Sequence, residues 1–467
     1  MNNHYKYVVN RVDDLHILGK IKHLIKSKKK DKNIYANIGW LLFEKLFKMV
    51  LSFFIFALIA RYLGPEEFGI FNYAIAFVFI LSSLIDLGLS GLVVKELVEK
   101  KDETEKIIGT TLTLKWIASV IGFITLAVLL LFMESREIML VTLLVGISIL
   151  LKPLEVIDIY NQANVISKYT VIARNSSLAV VSIVQLCFIL MNYSLHYFAA
   201  AQTLEILLSV VFLLIFYKKR NQTLKWRFDI KLGLNLLKRS WPLIFSGIAA
   251  VLYLKVDQLM IRNMVGASEL GIYSVAARVS EVWYFIPTAV AASFFPQLVK
   301  MKEDKVQYNN KLQAIYNNLF LSAFILAVGI TLTSPFIIRV LFGHEYAGAS
   351  IILTIHIWAS VFVFMRSLLS KWLINEELLI FSLVSHGLGV VANIGLNLIL
   401  IPSYGGIGAA IATVFAYSSS TYLFCFLSKR TMSAGVMMSK AMLSPIAIFL
   451  ALFKKRRDFE RSSKIPM

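Results

Sequence analysis

Charged residues are scarce in this sequence. Asp, Glu, Lys and Arg make up 16% of its 467 residues, where a soluble domain carries about a quarter. Apolar residues reach 58% and mean hydropathy is +0.71. These values exclude a soluble globular enzyme, a disordered chain and a fibrous repeat, and leave a polytopic membrane protein. Cysteine is almost missing. Cys187 and Cys425 lie in separate apolar runs, which excludes a disulfide framework and a cysteine metal site; both read as small core residues. No G-x-x-x-x-G-K-S/T loop occurs, so the chain does not hydrolyse ATP through a P-loop. Nothing calls for a cofactor or a metal. The basic N-terminal tail is not followed by a short apolar segment with a small-residue cleavage site, so no cleaved signal peptide is expected.

Positive charge is abundant, at +20 overall. In a soluble protein that excess suggests nucleic acid; here its placement excludes nucleic acid as a partner. A run of about 20 apolar residues crosses the hydrocarbon. Twelve such runs are present, roughly 36–60, 68–93, 107–132, 138–160, 169–191, 195–217, 241–265, 271–298, 311–338, 350–373, 379–401 and 406–428. With the N-terminus inside, the inside segments up to Arg430 hold 29 Lys/Arg and the outside segments only Arg61, Arg136, Arg262 and Arg339. This is the bias of basic residues to cytoplasmic loops, and a miscounted span would scramble it. The fold class is therefore all-α integral membrane, with twelve transmembrane helices.

The flanks are distinctive. Residues 1–33 form a basic cytoplasmic tail in which Ile17, Leu18, Ile21, Leu24 and Ile25 fall at helical spacing among Lys20, Lys22 and Lys26. That pattern fits a basic amphipathic helix on an anionic leaflet or a plain solvated tail. At the other end, 429–467 holds a short apolar segment interrupted by Pro445 and followed by Lys454, Lys455, Arg456 and Arg457. It reads as an interfacial or re-entrant segment, or as a chain ending early in a final helix pair.

An internal repeat divides the rest. IARYLGPEEFGIFNYA (59–74) and IRNMVGASELGIYSVA (261–276) share Ile59/Ile261, Gly64/Gly266, Glu67/Glu269, Gly69/Gly271, Ile70/Ile272 and Ala74/Ala276 at a constant offset of 202 residues. Each copy is the outside hairpin joining the first two helices of a six-helix set. Two parallel, pseudo-symmetric six-helix lobes follow, 34–217 and 241–428, joined by a cytoplasmic linker at 218–240 and enclosing a central cavity.

The runs LIARYLGPEEFGIFNYAIAF, LIDLGLSGLVVKEL and YLKVDQLMIRNMVGASELGIYSVAARVSE resemble the bacterial Wzx-type O-antigen and polysaccharide flippases. These belong to the multidrug/oligosaccharidyl-lipid/polysaccharide exporter superfamily. The resemblance covers about residues 36–428. It implies twelve to fourteen helices in two lobes, in the bacterial inner membrane, and no enzymatic activity. It also implies translocation of an undecaprenyl-diphosphate-linked oligosaccharide to the periplasmic leaflet by alternating access. The implied partners are the lipid-linked oligosaccharide and membrane lipids, with a polysaccharide polymerase and a chain-length regulator as further candidates. The tail after residue 428 departs from the family pattern.

An ionisable side chain at mid-membrane costs roughly 2.5–3.5 kcal/mol on insertion scales. Deep cations are Lys45, Lys48, Lys115, Lys152, Arg174, Lys255, Arg278 and Arg366, and deep anions include Glu44, Asp86, Glu155, Asp158, Glu205, Asp257 and Glu281. Counting along the spans groups Lys255, Asp257, Arg278 and Glu281 in one outer-half cluster. A diphosphate needs cations in a low-dielectric cavity, with Arg supplying forked contacts. Lys48, Arg174, Lys255, Arg278 and Arg366 are the candidates for that anionic head group. Each is equally readable as half of a structural salt bridge, for example Asp257–Arg278. Glu44, Asp86, Asp257 and Glu281 are candidates for ion coupling or for the salt-bridge partners. Trp40, Trp241 and Trp372 read as interfacial anchors. Pro153, Pro287 and Pro335 read as kinks, and Pro242 as a helix start.

Three other functions compete. A glycosyltransferase, polymerase or ligase acting on lipid-linked sugar needs a sizeable outside loop, and these loops are about a dozen residues or fewer. A drug or cation exporter of the same fold wants an anion-dominated cavity, against eight deep cations here. A lipid-linked peptidoglycan precursor flippase differs only in substrate.

Overall fold

The computed structural model describes residues 4–132, 135–221 and 226–445, and every regular element among them is helical. The helices are α1 (4–63), α2 (65–99), α3 (Thr104–Leu130), α4 (Arg136–Ala163), α5 (Lys168–Leu190), α6 (Leu195–Asn221), α7 (Ile230–Met264), α8 (Ala267–Lys300), α9 (Lys305–Phe342), α10 (Ala349–Asn375), α11 (379–404), α12 (406–427) and α13 (432–445). Among the described residues nine helical stretches are long and apolar enough to cross a membrane, or ten with α7, which is bent by 47°.

Two of the nine stretches, Phe43–Glu99 and Ile380–Leu427, are hairpins. Gly64 (φ 72°) and Gly405 (φ 54°) occupy the left-handed region that favours glycine. Phe56 and Phe68 bring their rings to 4.9 Å, although twelve residues of straight helix span about 18 Å. A side chain at Gly408 would lie 2.3 Å from the Leu400 carbonyl oxygen, eight residues earlier. Each stretch thus folds back on itself, and counting the arms separately is consistent with the twelve spans read from the sequence.

The buried side chains form three large cores. One is confined to α2–α6 and the start of α7, around Leu89, Val93, Ile107, Ile108, Val156 and Leu213. Another is confined to α8–α10, α12 and α13, around Leu312, Tyr316, Phe364, Leu368 and Phe424. The third is shared by both halves and lies around Gly64 and Gly266, with Ala60, Phe68, Leu270, Tyr273, Phe342 and Tyr346. The lobes therefore join at the end marked by the glycine hairpins and keep separate cores toward the basic loops. Among lipid tails, helices associate through close van der Waals packing, for which small residues are suited. A Cβ on Gly69 would sit 1.8 Å from the Ala267 carbonyl oxygen, and one on Gly271 would sit 1.9 Å from that of Pro65. Both pairings, 65 with 267 and 69 with 271, repeat the offset of 202. The contact is reciprocal about a pseudo-two-fold axis.

Several sequence expectations change. Pro242 lies inside α7, which begins at Ile230 after an Asp229 side-chain cap, so it does not start a helix. Trp372 is buried in the core of its own lobe, whereas Trp241 is exposed. Cys425 is buried but Cys187 is exposed. The apolar C-terminal segment is the helix α13, whose Ala434, Met438 and Ala441 are buried against α10 and α12; Lys454 to Arg457 lie outside the described residues. So do the side chains of the amphipathic stretch at 17–26, where the backbone is helical.

Candidate functional site

A cavity of about 270 Å³ lies between the two halves, lined from α1, α2, α5, α6, α7 and α8. Its walls follow from helical periodicity, since residues three and four apart share a face. Lys48, Ser52, Phe56 and Ile59 come from one face of α1, and Ser274, Ala277, Arg278 and Glu281 from one face of α8. Three cations line it, Lys48, Lys255 and Arg278, against two carboxylates, Glu205 and Glu281. Asn72, Gln185, Gln202 and Gln258 add amides.

The charges are only loosely satisfied. Lys255 Nζ lies 4.0 Å from Glu281 Oε2. Arg278 donates to Ser52 Oγ at 3.1 Å and stacks over the Phe56 ring at 5.3 Å. Both of those partners belong to α1, so Arg278 reaches from one half of the molecule to the other. Neither Lys48 nor Arg278 is ion-paired among the described residues. A guanidinium with a neutral partner and a free edge facing a polar cavity is equipped to take a forked grip on an anion.

Of the candidates from sequence, Lys48, Lys255, Arg278 and Glu281 meet in this cavity. Asp257 does not. At two residues from Lys255 it faces away, into a buried network. Tyr273 Oη donates to its carboxylate, the Gln258 amide donates at 2.8 Å, and Thr413 Oγ1 lies 3.5 Å from Tyr273 Oη. The Asp257–Arg278 pair is therefore not formed. Glu44 pairs with Arg174 at 3.6 Å, and Arg174 also meets Asp158 at 3.1 Å, which places this cation between two carboxylates inside the first half. Asp86 pairs with Lys115 at 2.7 Å. Arg366 is buried in the second half, where it donates to Ser385 Oγ at 2.8 Å and the Ser420 carbonyl at 2.9 Å, with His386 Nε2 at 2.9 Å. Glu205 and the four amides are wall residues that sequence reasoning did not select. For three of them a signal was present: Gln202 and Glu205 are three apart, as are Lys255 and Gln258. Among the described residues no cluster of His, Cys, Asp and Glu is arranged to hold a metal ion.

Known proteins support the same architecture. Over 89% of this chain and 93% of its own, the solved structure of MurJ, a lipid II flippase in an inward closed conformation, superposes with a TM-score of 0.69 at 19% identity. A putative O-antigen transporter of Shigella flexneri is 24% identical over 67% of this chain and 78% of its own length. A probable low-salt glycan biosynthesis flippase of Haloferax volcanii, Agl15, is 27% identical over 38% of this chain, and the match spans 39% of that relative. Residues 34–302, more than half of the chain, match the polysaccharide biosynthesis protein family. That match covers the first lobe, the linker and the start of the second lobe, and the chain belongs to the polysaccharide biosynthesis protein family.

Proposed function

We propose that the chain carries an undecaprenyl-diphosphate-linked oligosaccharide from the cytoplasmic to the periplasmic leaflet of a bacterial inner membrane by alternating access. The observation that carries this reading is the placement of Lys48 on one lobe and of Lys255 and Arg278 on the other, around one cavity. Bare ionised groups face a penalty on the order of tens of kcal/mol in hydrocarbon. A polar cavity replaces their water while the lipid tail stays in the bilayer. A diphosphate gripped by Lys48 and Ser52 on one side and by Arg278 on the other is bound by both lobes at once, so its arrival favours their approach. Residues 34–217 and 241–428 act as the moving lobes, with 218–240 as the linker. Lys106 meets Asp229 at 3.0 Å and Arg239 pairs with Glu96, which couples the linker to the first lobe. Positive-inside topology puts the N-terminus in the cytoplasm and the Gly64 end at the periplasm. Glu44 and Asp86 serve as salt-bridge partners. Glu281 and Asp257 remain the ion-coupling candidates.

The test is complementation. In a strain lacking the gene, Arg278→Ala and Lys255→Ala reach the membrane at normal levels and restore little surface polysaccharide. One charge-assisted hydrogen bond is worth about 1.5–3 kcal/mol, or about 10- to 150-fold in affinity. Full restoration by both variants rules the phosphate role out.

A further inference from the structure

A second cavity of about 230 Å³ is lined mainly from the first lobe, by Phe79, Ser82, Asp86, Lys115, Lys152 and Glu155, and closed by Val251 of α7 from the second. It lies on the same path as the first. Phe68, Phe71, Asn72 and Ile75 of α2 line the central cavity, and Phe79, Ser82, Ser83 and Asp86 line the second. These positions form one continuous stripe at helical spacing, turned to one side of α2. From Asn72 to Ser83 the helix rises about 16 Å. Helix α7 repeats the order, with Val251 at the second cavity and Lys255 and Gln258 at the first.

The chemistry of the two cavities differs. The central one holds two cations, Lys48 and Arg278, that lack ion-pair partners among the described residues. The second balances its charges, two cations (Lys115, Lys152) against two carboxylates (Asp86, Glu155): Lys115 meets Asp86 at 2.7 Å, and Asp86 also accepts from Ser90 Oγ at 2.7 Å. Lys152 shares the cavity with Glu155 and lies 5.9 Å from the centre of the Phe79 ring. No carboxylate is ion-paired to Lys152 among the described residues. Ser82 Oγ is buried without a hydrogen-bond partner there. Phe79 is among the exposed large side chains. A lining with as many carboxylates as cations gives less purchase on a diphosphate than the central cavity, where cations outnumber carboxylates. Carboxylate, ammonium and hydroxyl groups around one aromatic ring suit a polyhydroxylated ring, which offers hydroxyls in its plane and an apolar face above it.

We infer that this cavity is a glycan subsite, in which one sugar ring of the cargo stacks on Phe79 and bonds to Lys152, Glu155 and Ser82 while the diphosphate occupies the central cavity. The inference rests on the proposed function and adds a separate site that reads the sugar.

Binding of two lipids to the full chain in nanodiscs tests it: bare undecaprenyl diphosphate, and the same lipid carrying a neutral disaccharide. The unaltered protein holds the disaccharide lipid more tightly. Lys152→Met weakens the disaccharide lipid by about tenfold and leaves the bare lipid nearly unchanged, the loss of one or two hydrogen bonds. Phe79→Leu, which leaves every charge in place, does the same. Arg278→Ala weakens both lipids. Equal loss of both lipids on changing Lys152 overturns the inference, because the site is then an anion site. So does equal binding of the two lipids by the unaltered protein, with the proposed function intact. Binding of neither lipid defeats the proposed function, and this inference with it.

Discussion

Arg278 and Arg366 are both guanidiniums placed within a helical lobe, and the difference lies in what their donors meet. Arg366 is served by the protein itself, through Ser385, the Ser420 carbonyl and His386. Arg278 has Ser52, a ring face and a polar cavity. Removing a partner from a buried acceptor costs about 1–3 kcal/mol, so Arg366→Ala lowers the thermal unfolding temperature in detergent while the surviving folded protein still binds a lipid diphosphate. Arg278→Ala shows the reverse pattern. Equal melting of Arg366→Ala and the unaltered protein would show that those contacts contribute no stability. From sequence both arginines read alike, because counting along a span gives depth and leaves the direction of the side chain open. The same ambiguity grouped Asp257 with Lys255. Two residues apart on a helix they share a depth and look in opposite directions, and which one faces the cavity depends on neighbours that only the fold supplies.

At the level of helices, the interlock of α2 with α8 was legible as glycine identities at a fixed offset, though not as a contact. Gly64, Gly69, Gly266 and Gly271 stood out because they recurred; the backbone approach at Gly69 and Gly271 explains why no side chain fits there. Polar wall residues such as Gln185 and Asn72 were not legible in the same way, since a lone amide in an apolar helix has no recurring partner to mark it. A methyl group on Gly69 has to move the Pro65 to Gly69 turn away from Ala267. Gly69→Ala therefore weakens the closed junction and populates states open at the Gly64 end. The readout is a single cysteine at Ala60, which is fully buried in the shared core, in a chain lacking Cys187 and Cys425. Gly69→Ala makes Ala60→Cys reactive toward a membrane-impermeant thiol reagent, and Gly271→Ala does the same by pseudo-symmetry. The two changes act on one contact, so together they add less than their sum. Unchanged labelling in both variants would mean that the junction does not gate access.

For the whole molecule, the arrangement of the cores sets what the proposed alternating access requires. The lobes share packing around Gly64 and Gly266 and keep their own cores toward the basic loops. A movement that exchanges access must dissolve the shared core while leaving the other two intact, which is rigid-body rocking about the cavity. Tyr346 Oη donates to the Ala60 carbonyl at 2.7 Å and Arg61 donates to the Val340 carbonyl at 3.4 Å, and both bonds tie α1 to the opposite lobe. A reducible bifunctional reagent joining Arg61→Cys to Val340→Cys, with the native cysteines removed, holds that end shut. Flipping of a fluorescent lipid diphosphate in proteoliposomes then stops, and adding a reductant restores it, while binding from the basic side persists throughout. Transport that continues in the fully cross-linked protein would mean that the cargo crosses without the lobes parting, and rocking would give way to a fixed groove.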